Sequence, residues 1–482
     1  MASSATPAEI RSDLGHPVID SDGHVLEYMP AAYPYLREAL GSKRFDLYLE
    51  AMSPLRSAMV SPTLDERRGS RVPQAGWWGS PVGNARDLAT SMSPRLLHDR
   101  ADELGFDFMV LYPTNAMGTG GVADDEMRQG LCRGFNDFFA DAYRDYSDRL
   151  TVAGLIPMNT PEEAIAELEH CKDIGLKVAG IPHGVLRPIE NPAVPQSPWL
   201  TPGQTHWWDH FGLDSAYDYD PVWAKFEQLQ IPLTVHGGLG APPTGYYTSI
   251  TSWMANHIGS FAAMMYPVCK ALYLGGVTRR FPNLPIAFLE CGVGWACTLL
   301  AETVEHWEKR NIELVESLYD PARLDIDTLV TLMRDNAPEL IGNIDDETLA
   351  ERLTACTLQG VPPEEHDEWT AMNITTKHDF YDLFVPNLYF GCEADDRTAA
   401  FGFSHANAFN ATLNTMFSSD ISHFDVPNFL GVLPEAHSLV TKGVLTPEQF
   451  KDFTYTTAHT FYTRTNPNFF TNTTLQTTTT HA

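Results

Sequence analysis

Residue types that bind metal ions stand at the ends of four hydrophobic segments that are far apart in the sequence. The segments are residues 17–24 (PVIDSDGH), 231–238 (IPLTVHGG), 285–292 (PIAFLECG) and 413–420 (LNTMFSSD). Imidazole and carboxylate groups are common protein ligands of zinc, iron and manganese. A bound divalent ion acidifies a water molecule or polarises a carbonyl group. The residue types therefore indicate a metal site that performs hydrolysis or decarboxylation.

Each of these residues also has a purely structural interpretation. Asp22 and His24 are two positions apart, which places both on one face of a strand. His236 precedes two glycines, which permit a sharp turn or a close approach to a ligand, and a hydrogen-bonding role at a strand end is its alternative. Asp420 follows an apolar run, where an unpaired carboxylate is costly to bury, and helix capping is its alternative. The metal site thus depends on the segments meeting in space.

The elements that could bring these segments together follow from the hydrophobic pattern. Strand-like runs alternate with helical stretches, and the runs are residues 18–20, 106–112, 150–157, 176–181, 231–236, 285–290, 387–392 and 414–417. Continuous hydrophobic strands are typical of parallel sheets that are buried on both faces. A parallel barrel gathers the carboxyl ends of all its strands around one opening. We therefore predict an α/β fold with the metal site at that opening.

Composition and charge limit the function classes. The 482 residues carry a net charge of −30, which disfavours binding to nucleic acid or to an anionic membrane surface. Seven cysteines without CxxC pairs fit a reducing compartment. The first residues lack the pattern of a secretory signal, and the apolar stretch around 286–301 is too short to cross a bilayer. We predict a cytoplasmic protein whose partner is a small molecule.

The combined pattern resembles the amidohydrolase-related branch of the amidohydrolase superfamily, which includes aminocarboxymuconate semialdehyde decarboxylase. Residues 18–25, 231–238, 275–295 and 417–423 carry the resemblance, which extends over about residues 17–470. It implies a distorted (β/α)8 barrel with long loop insertions and one or two divalent ions (zinc, iron or manganese) at its opening. By position, the family's metal ligands correspond to Asp22, His24, His236 and Asp420, and Asp420 also accepts a proton in hydrolytic members.

The sequence departs from the family pattern at two positions. The first-strand pair is Asp-x-His, where the family often has HxH or ExH. The sixth-strand position that is often a catalytic histidine in the decarboxylases is Glu290. A carboxylate repels an anionic substrate, but it can bind a metal ion or act as a general base. We therefore predict that Glu290 is a catalytic residue and a metal ligand. The alternative is that Glu290 does not bind the ion and instead holds one of the ligand histidines in place.

Four further residues are candidates for the same opening. His257 matches a histidine often found before the sixth strand of the family and is predicted to be catalytic. His423 follows Asp420 by three residues and is predicted to orient it or the substrate. His183 and Glu393 end the fourth and seventh strands. If His183, His257 and Glu290 all face the opening, two ions become possible.

We predict one domain over residues 16–470, with lid insertions near 30–95, 186–215 and 310–385 and a disordered Thr-rich tail over 471–482. Tryptophans in the insertions, among them Trp77, Trp78 and Trp199, indicate a large, partly apolar substrate. The resemblance also implies a homodimer.

The leading functional hypothesis is a metal-dependent hydrolase that cleaves an amide, ester or thioester of a fairly large organic acid. The first alternative is a non-oxidative decarboxylase or C–C hydrolase of an aromatic or related carboxylic acid on the same site. The second is a barrel that binds a small molecule without catalysis.

Overall fold

The structure is a computed structural model that describes residues 5–60, 63–71, 73–76, 79–190, 206–239, 248–356 and 367–476, without the side chains of 52–60 and 321. Trp77, Trp78 and Trp199, three of the tryptophans that indicated a large, partly apolar substrate, lie outside these residues. None of the described helices combines the length and the apolarity that a membrane crossing needs.

The strands confirm the predicted α/β barrel architecture. They are β1 (Ile19–Val25), β2 (Phe108–Pro113), β3 (Leu150–Val152), β4 (Gly154–Leu155), β5 (Ala179–Pro182), β6 (Val185–Pro188), β7 (His206–Asp209), β8 (Leu233–His236), β9 (Ile286–Phe288), β10 (Leu388–Glu393) and β11 (Asn414–Ser418). One parallel sheet has the order β1-β2-β3, and the other has the order β11-β10-β9-β8-β5-β4. Only Ala153 separates β3 from β4, so the two sheets follow each other around one ring.

The ring is not closed by a ladder between β1 and β11 in the described chain. Two backbone hydrogen bonds join the residues at this seam instead: the Asp420 N–H donates to Asp22 O at 3.0 Å, and the His24 N–H donates to Ile421 O at 3.1 Å. The seam therefore lies beside the carboxyl ends of both strands, where the candidate metal ligands are.

Helices connect the strands and cover the outside of the ring. They are α1 (Pro7–Leu14), α2 (Met29–Val60), α3 (Leu64–Ser70), α4 (Ala85–Met92), α5 (Pro94–Leu104), α6 (Asp125–Tyr143), α7 (Pro161–Ile174), α8 (Asp220–Leu229), α9 (Trp253–His257), α10 (Ser260–Leu274), α11 (Val277–Arg280), α12 (Gly294–Arg310), α13 (Ile312–Leu314), α14 (Ile326–Asn336), α15 (Pro338–Ile341), α16 (Asp346–Thr354), α17 (Asp379–Phe384), α18 (Val432–Thr441), α19 (Pro447–Lys451) and α20 (Thr457–Thr465). Thr160 and Thr446 each form a capping box, with Glu163 at the start of α7 and with Gln449 at the start of α19.

Two separate hydrophobic cores follow from the alternation of side chains along the strands. The outer core lies between the strands and the surrounding helices. The inner core fills the barrel with alternate strand residues, such as Val110 and Met416, and continues into Phe461, Tyr462 and Phe469. Tyr389, at the start of β10, packs against Phe461 with ring centroids 5.1 Å apart. The last helix therefore closes the barrel at the amino ends of its strands.

Regular structure occurs in two segments that were predicted as a lid and as a disordered tail. In the insertion 186–215, β6 and β7 pair as an antiparallel hairpin at its two ends. The disordered tail does not begin at residue 471: Leu475 is buried, and the Thr474 N–H donates to Asp148 O at 3.1 Å. Residues 477–482 lie outside the described chain. The single-domain boundary of 16–470 stays a prediction.

Candidate metal centre

The opening of the barrel brings together five of the predicted side chains. His24 Nε2 lies 3.6 Å from Asp22 Oδ1 and 3.3 Å from Asp420 Oδ1. His236 Nε2 lies 3.5 Å from Asp22 Oδ1 and 3.3 Å from Glu290 Oε2. All five residues are buried, with Glu290 the most exposed at 4%. We call Asp22, His24, His236, Glu290 and Asp420 the ligand cage.

Asp20, which the sequence analysis did not single out, fixes the first-strand part of the cage. Its carboxylate accepts hydrogen bonds from Ser419 N at 2.9 Å, from Ser419 Oγ at 2.6 Å and from Asp22 N at 3.2 Å. The register of β1 shifts between Asp20 and Gly23, and a Cβ on Gly23 would lie only 2.6 Å from Asp20 Oδ2. The signal available in the sequence was the extra carboxylate of the motif Asp-x-Asp-Gly-His.

Local contacts orient the imidazole of His236. Its Nδ1–H donates to Gly237 O at 2.5 Å, which leaves the lone pair on Nε2 directed at the cage. Tyr112 stacks on the ring at a centroid distance of 5.2 Å and is itself held by a 2.9 Å hydrogen bond to Thr234 Oγ1. Gly238 adopts φ +88°, so the predicted need for a glycine turn after His236 is confirmed.

Two of the cage carboxylates sit on strained backbone. Glu290 has φ 53° and Asp420 has φ 49°, in the left-handed region that costs a non-glycine residue about 1 kcal/mol or more. Both residues stand two positions beyond the end of their strands, β9 and β11. Both residues keep the left-handed conformation despite this cost, and both of their carboxylates belong to the cage.

Burial sets the electrostatics of the cage. It raises the pKa of Asp22, and it raises the pKa of Glu290 and Asp420 well above the usual carboxyl value, with neighbouring carboxylates adding to the effect. Burial also lowers the pKa of His24 well below its usual value. A cage of three carboxylates without a cation is therefore driven toward its uncharged form.

The donor set fits a divalent ion. Both oxygens of Glu290 are buried, and no described group meets hydrogen-bond geometry with them. Ligand atoms that share one ion at about 2.1 Å lie roughly 3–4 Å apart. The measured separations of 3.3–3.6 Å fall in this range. Mixed carboxylate and imidazole ligands suit zinc, iron or manganese.

His423 belongs to the same cluster, as predicted by its proximity to Asp420 in the sequence. Its Nδ1 lies 2.6 Å from Asp420 Oδ1, and its ring stacks on His24 with centroids 3.6 Å apart. Among the described residues, two groups have ligand atoms close enough to hold an ion: Asp22 with His24 and His236, and His24 with Glu290, Asp420 and His423. The second group extends from the cage toward the β11 loop.

His257 lies outside both groups and instead forms a pair with an aspartate. Its Nε2 is 3.3 Å from Asp425 Oδ2, and its Nδ1–H donates to Gly76 O at 3.0 Å. Burial alone would lower the pKa of His257, but the hydrogen bond and the charge of Asp425 hold it above the usual value. The ring of Phe261 contacts both the His257 ring and the His236 ring, with centroid distances of 5.6 and 6.2 Å, so this pair lies at the edge of the opening.

His183 and Glu393 are also outside the two groups. His183 is buried against Trp208, at a ring-centroid distance of 4.8 Å, and burial lowers its pKa to about 3. His183 therefore lies outside the cage, and His183, His257 and Glu290 do not form one cluster of possible metal ligands among the described residues. Glu393 ends β10 and is half-buried.

Comparisons with known proteins agree with the resemblance that the sequence motifs indicated. Residues 84–322 match the model of the amidohydrolase family. The gamma-resorcylate decarboxylase of a Polaromonas species is 25% identical over 194 residues, which cover 40% of this chain and 54% of that enzyme. The chain therefore matches only about half of the length of this curated relative.

Two solved structures share the fold. The IDCase of Metarhizium anisopliae has a TM-score of 0.51 and 11% identity, and the match covers 93% of this chain and 98% of that one. The 5-carboxyvanillate decarboxylase of Novosphingobium aromaticivorans, solved with bound manganese, has a TM-score of 0.50 and 14% identity, and the match covers 94% of this chain and 98% of that one. The barrel fold inferred from the sequence is thus confirmed.

The same comparisons contradict the leading functional hypothesis. The curated relative is a decarboxylase, and so is the manganese-bound structural neighbour, whereas the sequence analysis favoured hydrolysis. The prediction of a hydrolase is wrong, and the findings support its first alternative. The resemblance that the sequence motifs indicated is confirmed by the match of residues 84–322 to the amidohydrolase family model.

Proposed function

We propose that the protein is a metal-dependent, non-oxidative decarboxylase of an aromatic carboxylic acid. The observation that carries the proposal is the buried ligand cage at the carboxyl ends of the barrel strands, in a chain whose curated relative decarboxylates gamma-resorcylate. Position in a parallel barrel supports this assignment, because barrel enzymes place their active sites at this end.

The ligand cage would hold a single divalent ion, with manganese the first candidate because the neighbour from Novosphingobium binds it. When bound, such an ion attracts the oxygen atoms of the acid and draws electron density away from the carbon that loses its carboxylate. Two imidazoles and three carboxylates would supply its ligands. The rest of the chemistry depends on protein side chains.

Decarboxylation requires a proton at the ring carbon. The carbon–carbon bond to the carboxylate breaks, carbon dioxide leaves, and a proton takes its place on the ring. Asp420 is the candidate donor, because its carboxyl lies in the cage at the opening and its Oδ1 is 2.6 Å from His423 Nδ1, which provides a route for replacing the proton. The buried cage also keeps bulk water away from the reacting carbon.

The direct test is product analysis with manganese-loaded protein and gamma-resorcylate, with 5-carboxyvanillate as a second substrate. We expect carbon dioxide and the decarboxylated phenol in equal amounts. The double variant Asp22→Asn/His236→Ala should lose this activity, whereas His378→Ala, on an exposed histidine, should keep it. Metal-loaded, folded protein that releases no carbon dioxide from a panel of aromatic acids would contradict the proposal.

Two sequence-based predictions accompany the proposed function. The homodimer and the cytoplasmic location both stay predictions, and light scattering of the metal-loaded protein would decide the first.

A further inference from the structure

Glu393 faces the barrel opening between two members of the ligand cage. Strand β10 lies between β9, which leads to Glu290, and β11, which leads to Asp420. Side chains alternate along a strand, and Tyr389 belongs to the inner core, so Gly391 and Glu393 share its inward face. A Cβ on Gly391 would meet Ser418 Oγ of β11 at 3.0 Å, which agrees with this orientation.

The carboxyl of Glu393 has no partner among the described residues. It makes no hydrogen bond or ion pair with them, and it belongs to neither group that could hold an ion. The residue is half-buried, so a molecule bound in the opening can reach it. Together these facts leave Glu393 as a polar group of the opening that neither the fold nor the metal cage uses.

The surroundings of Glu393 are acidic. Burial raises its pKa to about 8, and the charges of Asp425, Asp395 and Asp396 contribute, while His257 acts in the opposite direction. At neutral pH the group is therefore mostly the uncharged acid, which carries an O–H donor. The negative charge of Asp425 would repel a second carboxylate on a bound molecule here, whereas it would not repel a neutral hydroxyl group.

We propose that Glu393 is a substrate-binding residue whose carboxyl donates a hydrogen bond to a hydroxyl oxygen on the ring of the aromatic acid; this inference rests on the proposed function. The residue would therefore set a preference for hydroxylated acids over acids with an unsubstituted ring. It acts from the strand between the two cage carboxylates and needs no contact with the ion.

The test compares two substitutions of similar size in manganese-loaded protein. Glu393→Gln keeps an uncharged donor, and Glu393→Leu removes it. The probes are gamma-resorcylate and benzoate, which lacks the hydroxyls, and their dissociation constants are measured by titration calorimetry. We expect Glu393→Leu to weaken gamma-resorcylate about 10-fold and benzoate less than 2-fold, and Glu393→Gln to stay within about 3-fold of the wild type.

Three results would overturn the inference. The first is a Glu393→Gln variant as weak as Glu393→Leu, which would mean that the ionised carboxylate is what matters. The second is an equal loss for both probes, and the third is no loss for either. Metal content and the circular-dichroism spectrum of each variant show whether it is loaded and folded. Carbon dioxide release from wild-type protein is measured separately, so a failed decarboxylation assay with intact hydroxyl-dependent binding would count against the proposed function alone.

Discussion

Replacing Glu290 by glutamine should weaken metal binding while leaving the metal-free protein at least as stable. The substitution keeps the shape of the side chain and removes its charge. In the metal-free protein the carboxyl is 4% exposed and has no hydrogen-bond partner among the described residues, so burial disfavours its charged form. An amide of the same shape carries no charge, so the apo form should lose no stability.

The size of the effect follows from the position of Glu290 in the cage. Its Oε2 is 3.3 Å from His236 Nε2, as expected for two ligands of one ion. Replacing one charged ligand of five by a neutral one should raise the dissociation constant for manganese roughly 10- to 100-fold, a loss of about 1.4 to 2.8 kcal/mol. For 482 residues the entropy of unfolding is roughly 1 kcal/mol per degree, so the melting temperature would shift by only about 1 to 3 °C.

Direct manganese titration is therefore the appropriate assay, with chemical unfolding in a chelator as the measure of apo stability. Glu302→Gln, on the outer helix α12, is a matched control for the change of charge. Wild-type manganese affinity in Glu290→Gln would refute the assignment of Glu290 to the cage. A clear loss of apo stability would show that its carboxylate has a structural role instead.

Three other predictions concern the same opening. Asp20→Ala leaves three buried donors without an acceptor and should lower the free energy of unfolding by about 3 kcal/mol, measured by urea unfolding. Asp20→Asn keeps an acceptor, so its free energy of unfolding should fall by less than half of that amount. Burial depresses the pKa of His183 from 6.5 to about 3, so the unfolded chain binds a proton that the folded chain does not as the pH falls. Between pH 8 and 5 the free energy of unfolding of the wild-type protein should therefore fall by about 2 kcal/mol more than that of His183→Phe. An equal pH dependence of the two free energies would contradict this prediction. Asp420→Asn should lower kcat at least 100-fold while the circular-dichroism spectrum stays unchanged, and a kcat within 10-fold of wild type would exclude Asp420 as the proton donor.

Much of the barrel could be predicted because its strands are buried on both faces. Such strands are continuous hydrophobic runs, and all eight predicted runs contain or overlap strands of the ring. Their carboxyl ends meet at one opening, so Asp22, His236 and Asp420 could be placed near each other without any knowledge of their distances.

Backbone detail could not be predicted from the sequence. The extra carboxylate of Asp20 is visible in the sequence, but only the seam between β1 and β11 shows that it accepts hydrogen bonds from Ser419. The left-handed conformations of Glu290 and Asp420 depend on tertiary contacts, which override local preference. The wrong choice of hydrolysis came from interpreting Glu290, which stands where the decarboxylases often have a histidine, as a group that repels a substrate carboxylate and acts as a base for water.

The seam between the first and last barrel strands also sets the order of events during synthesis. The hydrogen bond from Ser419 to Asp20 joins residues 399 positions apart. At a synthesis rate of about 5 to 20 residues per second, roughly 20 to 80 s pass between the appearance of one partner and that of the other. Asp22 and His24 are made first, but they gain Asp420 as a neighbour only after the loop that follows β11 has been made. A nascent chain that has not reached Asp420 therefore lacks one member of the cage.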